Sequence, residues 1–222
     1  MTTIALIPAR GGSKGIPRKN IKLFNSKPLI FWSIEAALHS KFIDRVIVST
    51  EDQEIAQIAK SFSAEVPFLR PEKFSMDDSP GIDPVIHILE KMPYVKDLLL
   101  LQPTSPLRKT QHIDEIFNLR SDFKADSAVS LSLAKTNIIF KKEAHNKIKP
   151  INNEIKFLPR QKFNDLYTLN GALYLSSRES ILKNRSFFSP STVGYIMSQK
   201  HSIDIDSPLD WEIAEYLMRK TS

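Results

Sequence analysis

The sequence has no cysteine, only 6 glycines among its 222 residues, and no apolar run of the length that a membrane span needs. Without cysteine the chain can form neither a disulfide framework nor a thiolate metal site, which is consistent with a reducing cytoplasm. Residues 1–8 are too short and too uncharged to be a secretory signal peptide. We therefore expect a cytoplasmic protein with no membrane role.

The composition is typical of one globular domain. With 41% hydrophobic and 25% charged residues, the chain can bury a core and is not expected to be disordered. Its formal net charge of +6 allows two interpretations, a nucleic-acid-binding protein or an enzyme that handles several small anions. The basic residues form no single run, and we see no binding stripe in which aromatic residues alternate with basic ones. We therefore expect no nucleic-acid partner.

Strands and helices alternate over roughly the first 130 residues. This alternation predicts an α/β fold with a mostly parallel, Rossmann-like sheet and flanking helices, whose ligands bind beyond the carboxyl ends of the strands. Thr50 is predicted to cap the second helix, with Gln53 completing a capping box. The predicted strands are 3–8, 45–49, 66–69, 97–101 and 127–133, and the predicted helices are 29–40, 51–61, 84–91 and 113–119.

The alternation breaks between residues 133 and 162, where the sequence is polar, basic and poor in helix signals. We interpret residues 134–168 as a small hairpin-like excursion from the sheet, and call them the excursion. Strands are predicted again at 170–175 and near 193–197. Ser207, Pro208 and Asp210 then predict the start of a final helix. With no linker or repeat in the sequence, residues 1–222 are expected to form a single domain.

A loop rich in glycine and cations follows the first predicted strand. Its glycines allow the backbone to approach a ligand and to point N–H groups at one anion. Its cations would repel one another without an anionic partner, and a triphosphate carries the charge that they would offset. The loop matches neither the Walker nor the dinucleotide-binding motif. The glycines are Gly11, Gly12 and Gly15, and the cations are Arg10, Lys14, Arg18 and Lys19.

Two aspartates near the carboxyl terminus alternate with isoleucines. On an extended segment Asp204 and Asp206 face one way, while Ile203 and Ile205 face the core. Two hard oxygen ligands on one face suit Mg²⁺ held between the protein and a triphosphate. Helix capping is a reasonable alternative role for Asp206, but it does not explain Asp204.

Six segments, in order along the chain, carry a family resemblance. They are residues 7–20 (IPARGGSKGIPRKN), 48–50 (VST), 68–72 (FLRPE), 101–108 (LQPTSPLR), 170–174 (NGALY) and 195–206, which ends in IDID. Together they resemble the acylneuraminate cytidylyltransferases, the CMP-sialic acid synthetase family. The resemblance implies a fold of the nucleotide-diphospho-sugar transferase type. It also implies a Mg²⁺-dependent reaction of CTP with a nonulosonic acid that gives the CMP-sugar and pyrophosphate, in a homodimer joined through the excursion.

The resemblance also implies roles for individual residues. Arg10, Lys14, Lys19 and Asp206 would act in catalysis, and Asp204 and Asp206 would bind the metal. Arg160 and Gln161, in the excursion, would reach a sugar site in the same subunit or in its partner. The implied nucleotide-binding residues are Ala9, Arg10, Gly11, Gly12, Ser13, Lys14, Asn20 and Arg70, and the implied sugar-binding residues are Gln102, Arg160, Gln161, Tyr174, Phe187 and Phe188.

Several alternatives stay open at this point. Thr168 and Leu169 stand where many family members carry an arginine, so the sugar could be N-acetylneuraminate, legionaminate, pseudaminate or a relative. Enzymes that activate an eight-carbon keto acid have a related loop, but with Tyr-Gly-Ser-Thr-Arg in place of residues 11–15. A nucleic-acid-binding or regulatory protein without catalysis is a hypothesis of another class. The sequence does not choose the general base.

Overall fold

The computed structural model describes residues 2–76, 79–134, 140–142, 148–150 and 166–220. Its strands are β1 (Thr2–Pro8), β2 (Leu23–Phe24), β3 (Lys27–Pro28), β4 (Arg45–Ser49), β5 (Val95–Leu100), β6 (Ser127–Leu133), β7 (Phe140–Lys142), β8 (Ile148–Pro150), β9 (Tyr167–Ser177) and β10 (Val193–Ile196). Its α-helices are α1 (Leu29–Leu38), α2 (Gln53–Ser61), α3 (Asp83–Lys91), α4 (Thr110–Asp122), α5 (Arg178–Asn184) and α6 (Pro208–Arg219).

The main sheet has six strands in the order β10-β6-β9-β5-β1-β4. β1 is parallel to β4 and to β5, and β10 is parallel to β6. β9 is antiparallel to both of its neighbours, β5 and β6. In this sheet β9 therefore runs against the other strands, and the predicted α/β fold with a mostly parallel sheet is confirmed.

The central strands are buried on both faces. Alternate side chains of a strand point to opposite faces of the sheet, so β1 contributes Ala5 and Ile7 to one apolar cluster and Ile4 and Leu6 to another. The first cluster includes residues of α1, α2 and α4, and the second includes residues of α3 and α5. Because helices cover both faces of the sheet, the sequences of these strands are continuous apolar runs.

Two predicted boundaries match closely. The strand predicted at 127–133 is β6, and the final helix begins after Ser207 as expected. There the Ser207 hydroxyl accepts a hydrogen bond from the Asp210 N–H, while the Asp210 carboxylate accepts one from the Ser207 N–H. The reciprocal capping box fixes where α6 starts, and with it the segment that precedes α6.

The predicted cap of α2 is wrong. The helix begins at Gln53, and Asp52 is its N-cap, since the Asp52 carboxylate accepts a hydrogen bond from the Ile55 N–H at 3.0 Å. Thr50 is fully buried, and its hydroxyl accepts from the Asp52 N–H instead. An aspartate is at least as good an N-cap as a threonine, so the later residue takes the role.

The strand predicted at 66–69 is also wrong. The chain makes one isolated parallel bridge to β4, between Glu65 and Ile47, and residues 66–69 join no strand. Pro67 lacks the N–H that a sheet ladder needs, so it ends the pairing.

Part of the excursion forms the predicted hairpin. β7 and β8 pair in antiparallel fashion, in register from Phe140 with Pro150 to Lys142 with Ile148. Within the described ranges of the chain, no helix is both long enough and apolar enough to cross a membrane.

Candidate active site

A cavity of about 540 Å³ lies at the carboxyl ends of β1 and β5. Pro8 and Leu100, the last residues of these two strands, belong to its wall. The position agrees with the rule that open α/β sheets bind ligands beyond the carboxyl ends of their strands. The wall also includes Arg10, Ser13, Lys14, Gly15, Lys19, Asn20, Arg70, Ser75, Gln102, Thr104, Asp204 and Asp206.

The amino-terminal loop touches the segment that carries the two aspartates. The ammonium group of Lys19 donates to the carbonyl oxygen of Ile205 at 2.6 Å and to Asp206 Oδ1 at 3.2 Å. A Cβ atom added at Gly15 would lie under 3.0 Å from the backbone oxygen of Asp206. The loop therefore packs against residues 205–206, and this approach leaves no room for a side chain at position 15.

The Asp204 carboxylate is half-buried at the wall of the cavity. Its Oδ1 is buried and has no hydrogen-bond partner among the described residues. Burial raises the pKa of Asp204 above its usual value, and the charge of Asp206 adds to this effect, while Thr104 and Lys19 oppose it. A buried carboxylate oxygen without a donor is a group that a cation can satisfy.

Gln102 and Asp204 meet over a glycine of β9. Gly171 has a φ of 75°, and a Cβ built there would lie 2.9 Å from Gln102 Oε1 and 3.3 Å from Asp204 Oδ2. The neighbouring Asn170 is buried, accepts from the Ser130 hydroxyl at 2.6 Å and donates to the Ser202 hydroxyl at 2.9 Å. The Asn-Gly-Ala segment thus brings two predicted ligand-binding side chains together.

A hydrogen-bond network joins the loop to the segment of residues 70–75. Arg70 is 5% exposed, and its guanidinium donates to Glu51 Oε2 at 2.9 Å and to the Ser75 hydroxyl at 2.8 Å. The other Glu51 oxygen accepts from the Gly11 N–H at 2.7 Å. Burial lowers the pKa of Arg70, and the charge of Arg10 lowers it further, while Glu51 opposes both effects. The expectation that all the glycine N–H groups of the loop point at one ligand is therefore wrong for Gly11.

Arg18 also departs from the expected cradle of cations. Its backbone is left-handed, with a φ of 53°, and its guanidinium pairs with Asp52 and, at 2.5 Å, with Glu54. The acidic start of α2 therefore holds this side chain, which is not part of the cavity wall. Among the residues that the structure describes, four other cations line the cavity: Arg10, Lys14, Lys19 and Arg70.

The aromatic residues implied for sugar binding lie outside the wall of this cavity. Phe187 is buried in the cluster beneath the sheet, where its ring lies 5.6 Å from that of Tyr174, and Phe188 is 48% exposed. Burial and then the charge of Asp204 raise the pKa of the Tyr174 hydroxyl. Among the nucleotide-binding predictions, Ala9, Gly11 and Gly12 are likewise not wall residues. Arg160 and Gln161 lie outside the described residues.

The site also contains a buried arginine that the sequence patterns did not indicate, beside Gln102. Arg108 is 3% exposed and donates to the carbonyl oxygens of Ala172 at 2.9 Å and of Gln102 at 3.3 Å. Burial lowers its pKa to about 9. Its partners are neutral oxygens that include the backbone of Gln102, so Arg108 ties this residue to β9. No local pattern signals this, because Ala172 is 64 positions away.

Comparisons with known sequences agree with this geometry. The cytidylyltransferase family model matches residues 4–221. The chain is 36% identical over 227 residues to the CMP-N,N'-diacetyllegionaminic acid synthase of Legionella pneumophila, with 98% of this chain and 97% of that protein covered. It is 33% identical to the N-acylneuraminate cytidylyltransferase of Escherichia coli over 98% of this chain, but it spans only 52% of that longer relative.

A solved structure shows the same fold. A CMP:2-keto-3-deoxy-manno-octonic acid synthetase complexed with CTP superposes with a TM-score of 0.74 at 16% identity, over 100% of both chains. The family resemblance and the fold type that it implies are therefore confirmed. The chain belongs to the cytidylyltransferase family of nucleotidyltransferases.

Proposed function

We propose that the chain couples CTP to an acidic nonulosonic sugar of the sialic or legionaminic acid class and releases pyrophosphate. The observation that carries this proposal is the convergence of distant segments on one cavity, where Lys14 and Lys19 line the same wall as Asp204 and Asp206. The hydrogen bonds of Lys19 to residues 205 and 206 hold the segments together. Cations and carboxylates in one cavity suit a triphosphate carried with a divalent ion.

The cations of the loop bind the phosphates. Arg10, Lys14 and Lys19 offer charged donors to the β- and γ-phosphates, whose negative charge grows as pyrophosphate leaves. Asn20 is buried and donates from its side chain to the carbonyl oxygen of Arg10 at 2.9 Å, which fixes the course of the loop. Ser13 and Arg70 complete the proposed nucleotide contacts within the cavity.

Asp204 and Asp206 would hold a magnesium ion. The residues fit such an ion because Asp204 Oδ1 is buried and lacks a protein donor within the described chain. The described residues contain no cluster of three His, Asp or Glu side chains that could hold a metal, so phosphate oxygens and water would supply the remaining ligands. Bound magnesium supplies charge stabilisation at the phosphates and lowers the pKa of the attacking hydroxyl.

The reaction is a displacement at the α-phosphorus of CTP. The anomeric oxygen of the sugar forms a bond to this phosphorus, the bond from the α-phosphorus to the bridging oxygen breaks, and pyrophosphate departs with that oxygen. The hydroxyl proton passes to the Asp206 carboxylate, whose side chain is 79% exposed and borders the cavity. The protein contributes mostly position and charge, as in phosphoryl transfer in general.

The sugar site lies on the side of Gln102. Its amide can both donate and accept, and Gly171 leaves the space that lets it approach Asp204. Tyr174, Phe187 and Phe188 are assigned to the sugar by the family resemblance, and the rings of Tyr174 and Phe187 lie 5.6 Å apart. The sugar carboxylate is assigned to Arg160 with Gln161. The names of the Legionella and Escherichia coli relatives support a nine-carbon acid.

A homodimer completes the proposed site. Leu133 pairs with Tyr167 and Leu131 pairs with Leu169 across β6 and β9, so these side chains share one face of the sheet at the base of the excursion. Leu133, Tyr167 and Leu169 are 37%, 40% and 43% exposed. An apolar face beside the excursion suits a second copy of the chain, whose excursion would bring Arg160 to the neighbouring sugar site.

Pyrophosphate release from CTP tests the proposal against a panel of N-acetylneuraminate, legionaminate, pseudaminate and an eight-carbon keto acid. We expect release with a nine-carbon acid, and a roughly hundredfold lower turnover for Asp206→Asn in saturating magnesium. Asp122→Asn, a change of an exposed aspartate at the end of α4, is the matched control. No release with any acid contradicts the proposal, and full activity of Asp206→Asn contradicts the role of that carboxylate.

A further inference from the structure

Glu51 lies outside the cavity wall but bonds to residues of two chain segments that line it. Its side chain is 19% exposed. Oε1 accepts a hydrogen bond from the Gly11 N–H at 2.7 Å, while Oε2 accepts from Arg70 at 2.9 Å and from the Ser75 hydroxyl at 2.8 Å. Arg70, Ser75 and Arg10, the neighbour of Gly11, all line the cavity. One carboxylate therefore connects the amino-terminal loop to the segment of residues 70–75.

The contacts keep this carboxylate ionised. Burial alone would raise the pKa of Glu51, but hydrogen bonds from Gly11, Ser75 and Arg70 oppose burial, and the resulting pKa lies below the usual value. Hydrogen bonds to an ionised carboxylate are shorter and stronger than bonds between neutral groups. The three hydrogen bonds thus fix the Glu51 carboxylate and the three groups that donate to it in one relative position.

The negative charge also explains how two arginines share the cavity wall. The two guanidinium groups carry like charges, and the charge of Arg10 lowers the pKa of the buried Arg70. Arg10 donates to the carbonyl oxygen of Ser75 at 3.5 Å, so both arginines contact the same short segment. Glu51 offsets this repulsion from behind the wall. A carboxylate facing the triphosphate itself would instead repel it.

We propose that Glu51 is a positioning residue for the nucleotide. It orients Gly11, and with it Arg10, in the amino-terminal loop, and Arg70 with Ser75 in the segment of residues 70–75, without touching the nucleotide. The inference rests on the proposed function, which assigns this part of the cavity to CTP. Gln102, on the sugar side, makes none of these contacts, so Glu51 acts on one substrate only.

Glu51→Gln with its matched control tests this role. An amide has one oxygen, so its NH₂ group must face either the Gly11 N–H or Arg70, both of which are donors. We expect the KM for CTP to rise roughly ten- to a hundredfold, with the KM for the sugar unchanged. Glu65→Gln removes another glutamate charge, which pairs with Arg45 through 2.9 Å and 2.6 Å contacts on the surface. This control is expected to leave both KM values unchanged.

Two further measurements keep the test decisive. Ser75→Ala removes the hydroxyl that bonds to Glu51 and Arg70 but keeps the charges of these two residues. It should therefore raise the KM for CTP by a smaller factor than Glu51→Gln does. Calorimetric CTP binding compares the wild type with Glu51→Gln without any turnover, so a failure of the proposed reaction cannot be mistaken for a failure of this role. An unchanged CTP affinity in Glu51→Gln overturns the proposal, as does an equal rise of both KM values.

Discussion

At the scale of single residues, close backbone approaches shape the cavity. Gly15 lies against the backbone of Asp206, and Gly171 lies under the side chains of Gln102 and Asp204. Each glycine therefore lets a segment from another part of the chain come within contact distance of the loop or the sheet edge.

Gly15→Ala should disturb the contact between the amino-terminal loop and the segment that carries Asp204 and Asp206. The added methyl group would clash with the backbone oxygen of Asp206, so residues 204–206 must shift. A displacement of about 1 Å at a catalytic group can cost roughly a hundredfold in rate, so we expect turnover to fall by roughly tenfold or more. Steady-state pyrophosphate release and thermal unfolding give the two readouts.

Gly12→Ala is the folding control for this change, because a Cβ at position 12 meets no atom within 4 Å. It should leave the unfolding midpoint near that of the wild type. If Gly15→Ala turns over as fast as the wild type, the contact between the loop and Asp206 does not matter for the reaction.

Some residues of the site could be predicted because their signals are local. The cationic glycine loop lies within a dozen positions, and the alternation at 203–206 needs no knowledge of the fold. Glu51 and Arg108 could not be predicted, since each works through partners brought together by folding. Gly11 is 40 positions from Glu51, and Ala172 is 64 positions from Arg108.

At the scale of elements, the apolar pattern predicted most of the sheet and the larger helices. Single residues explain where a predicted strand or helix start was wrong. Pro67 removed a strand that the apolar residues around it indicated. Asp52 moved the start of α2. The reversed direction of β9 has no signal in its own sequence, because the direction depends on where the excursion returns the chain to the sheet.

The start of α4 should make stability depend on pH. His112 accepts a hydrogen bond from the Lys109 N–H on its ring nitrogen, and its ring faces that of His201 at 4.8 Å. Burial and then the charge of His201 lower the pKa of His112 to about 4. In the unfolded chain the His112 imidazole takes up a proton near pH 6.5, whereas in the folded chain it stays neutral down to about pH 4. The free energy of unfolding therefore falls as the pH is lowered from 6.5 toward 4. This loss is at most about 3 kcal/mol.

His112→Asn isolates this effect. The asparagine oxygen can accept the same bond from Lys109 but does not titrate. Urea unfolding at a series of pH values should therefore show a smaller loss of stability in the variant than in the wild type between pH 6.5 and pH 4. Equal slopes for the two proteins would mean that His112 does not stay neutral in the folded state.

At the scale of the whole molecule, the topology explains why the site forms where it does. Parallel β1 and β5 end side by side, which brings the loop after β1 next to Gln102. β9 runs the other way and pairs Tyr174 with Leu100, so its earlier residue Gly171 extends past the end of β5. The segment before α6 then returns over the same edge.

The apolar face at the base of the excursion should control assembly. We expect the wild type to be a dimer by light scattering, and the double variant Leu133→Glu, Leu169→Glu to be a monomer with reduced activity. Charges on a buried apolar face oppose association. Leu209→Glu, a change of a 64% exposed leucine on α6, serves as the control. A monomeric wild type, or a dimer that survives the double change, would contradict the proposed interface.

In the proposed site, the amino-terminal cations and Asp204 act on one magnesium-bound nucleotide. Calorimetric titration of CTP, with magnesium and with a chelator, tests this claim in the wild type, Lys14→Ala and Asp204→Asn. We predict that magnesium tightens CTP binding in the wild type, that Asp204→Asn loses most of this gain, and that Lys14→Ala binds more weakly in both conditions. CTP binding that is independent of magnesium in the wild type, or a full magnesium effect in Asp204→Asn, would contradict the account.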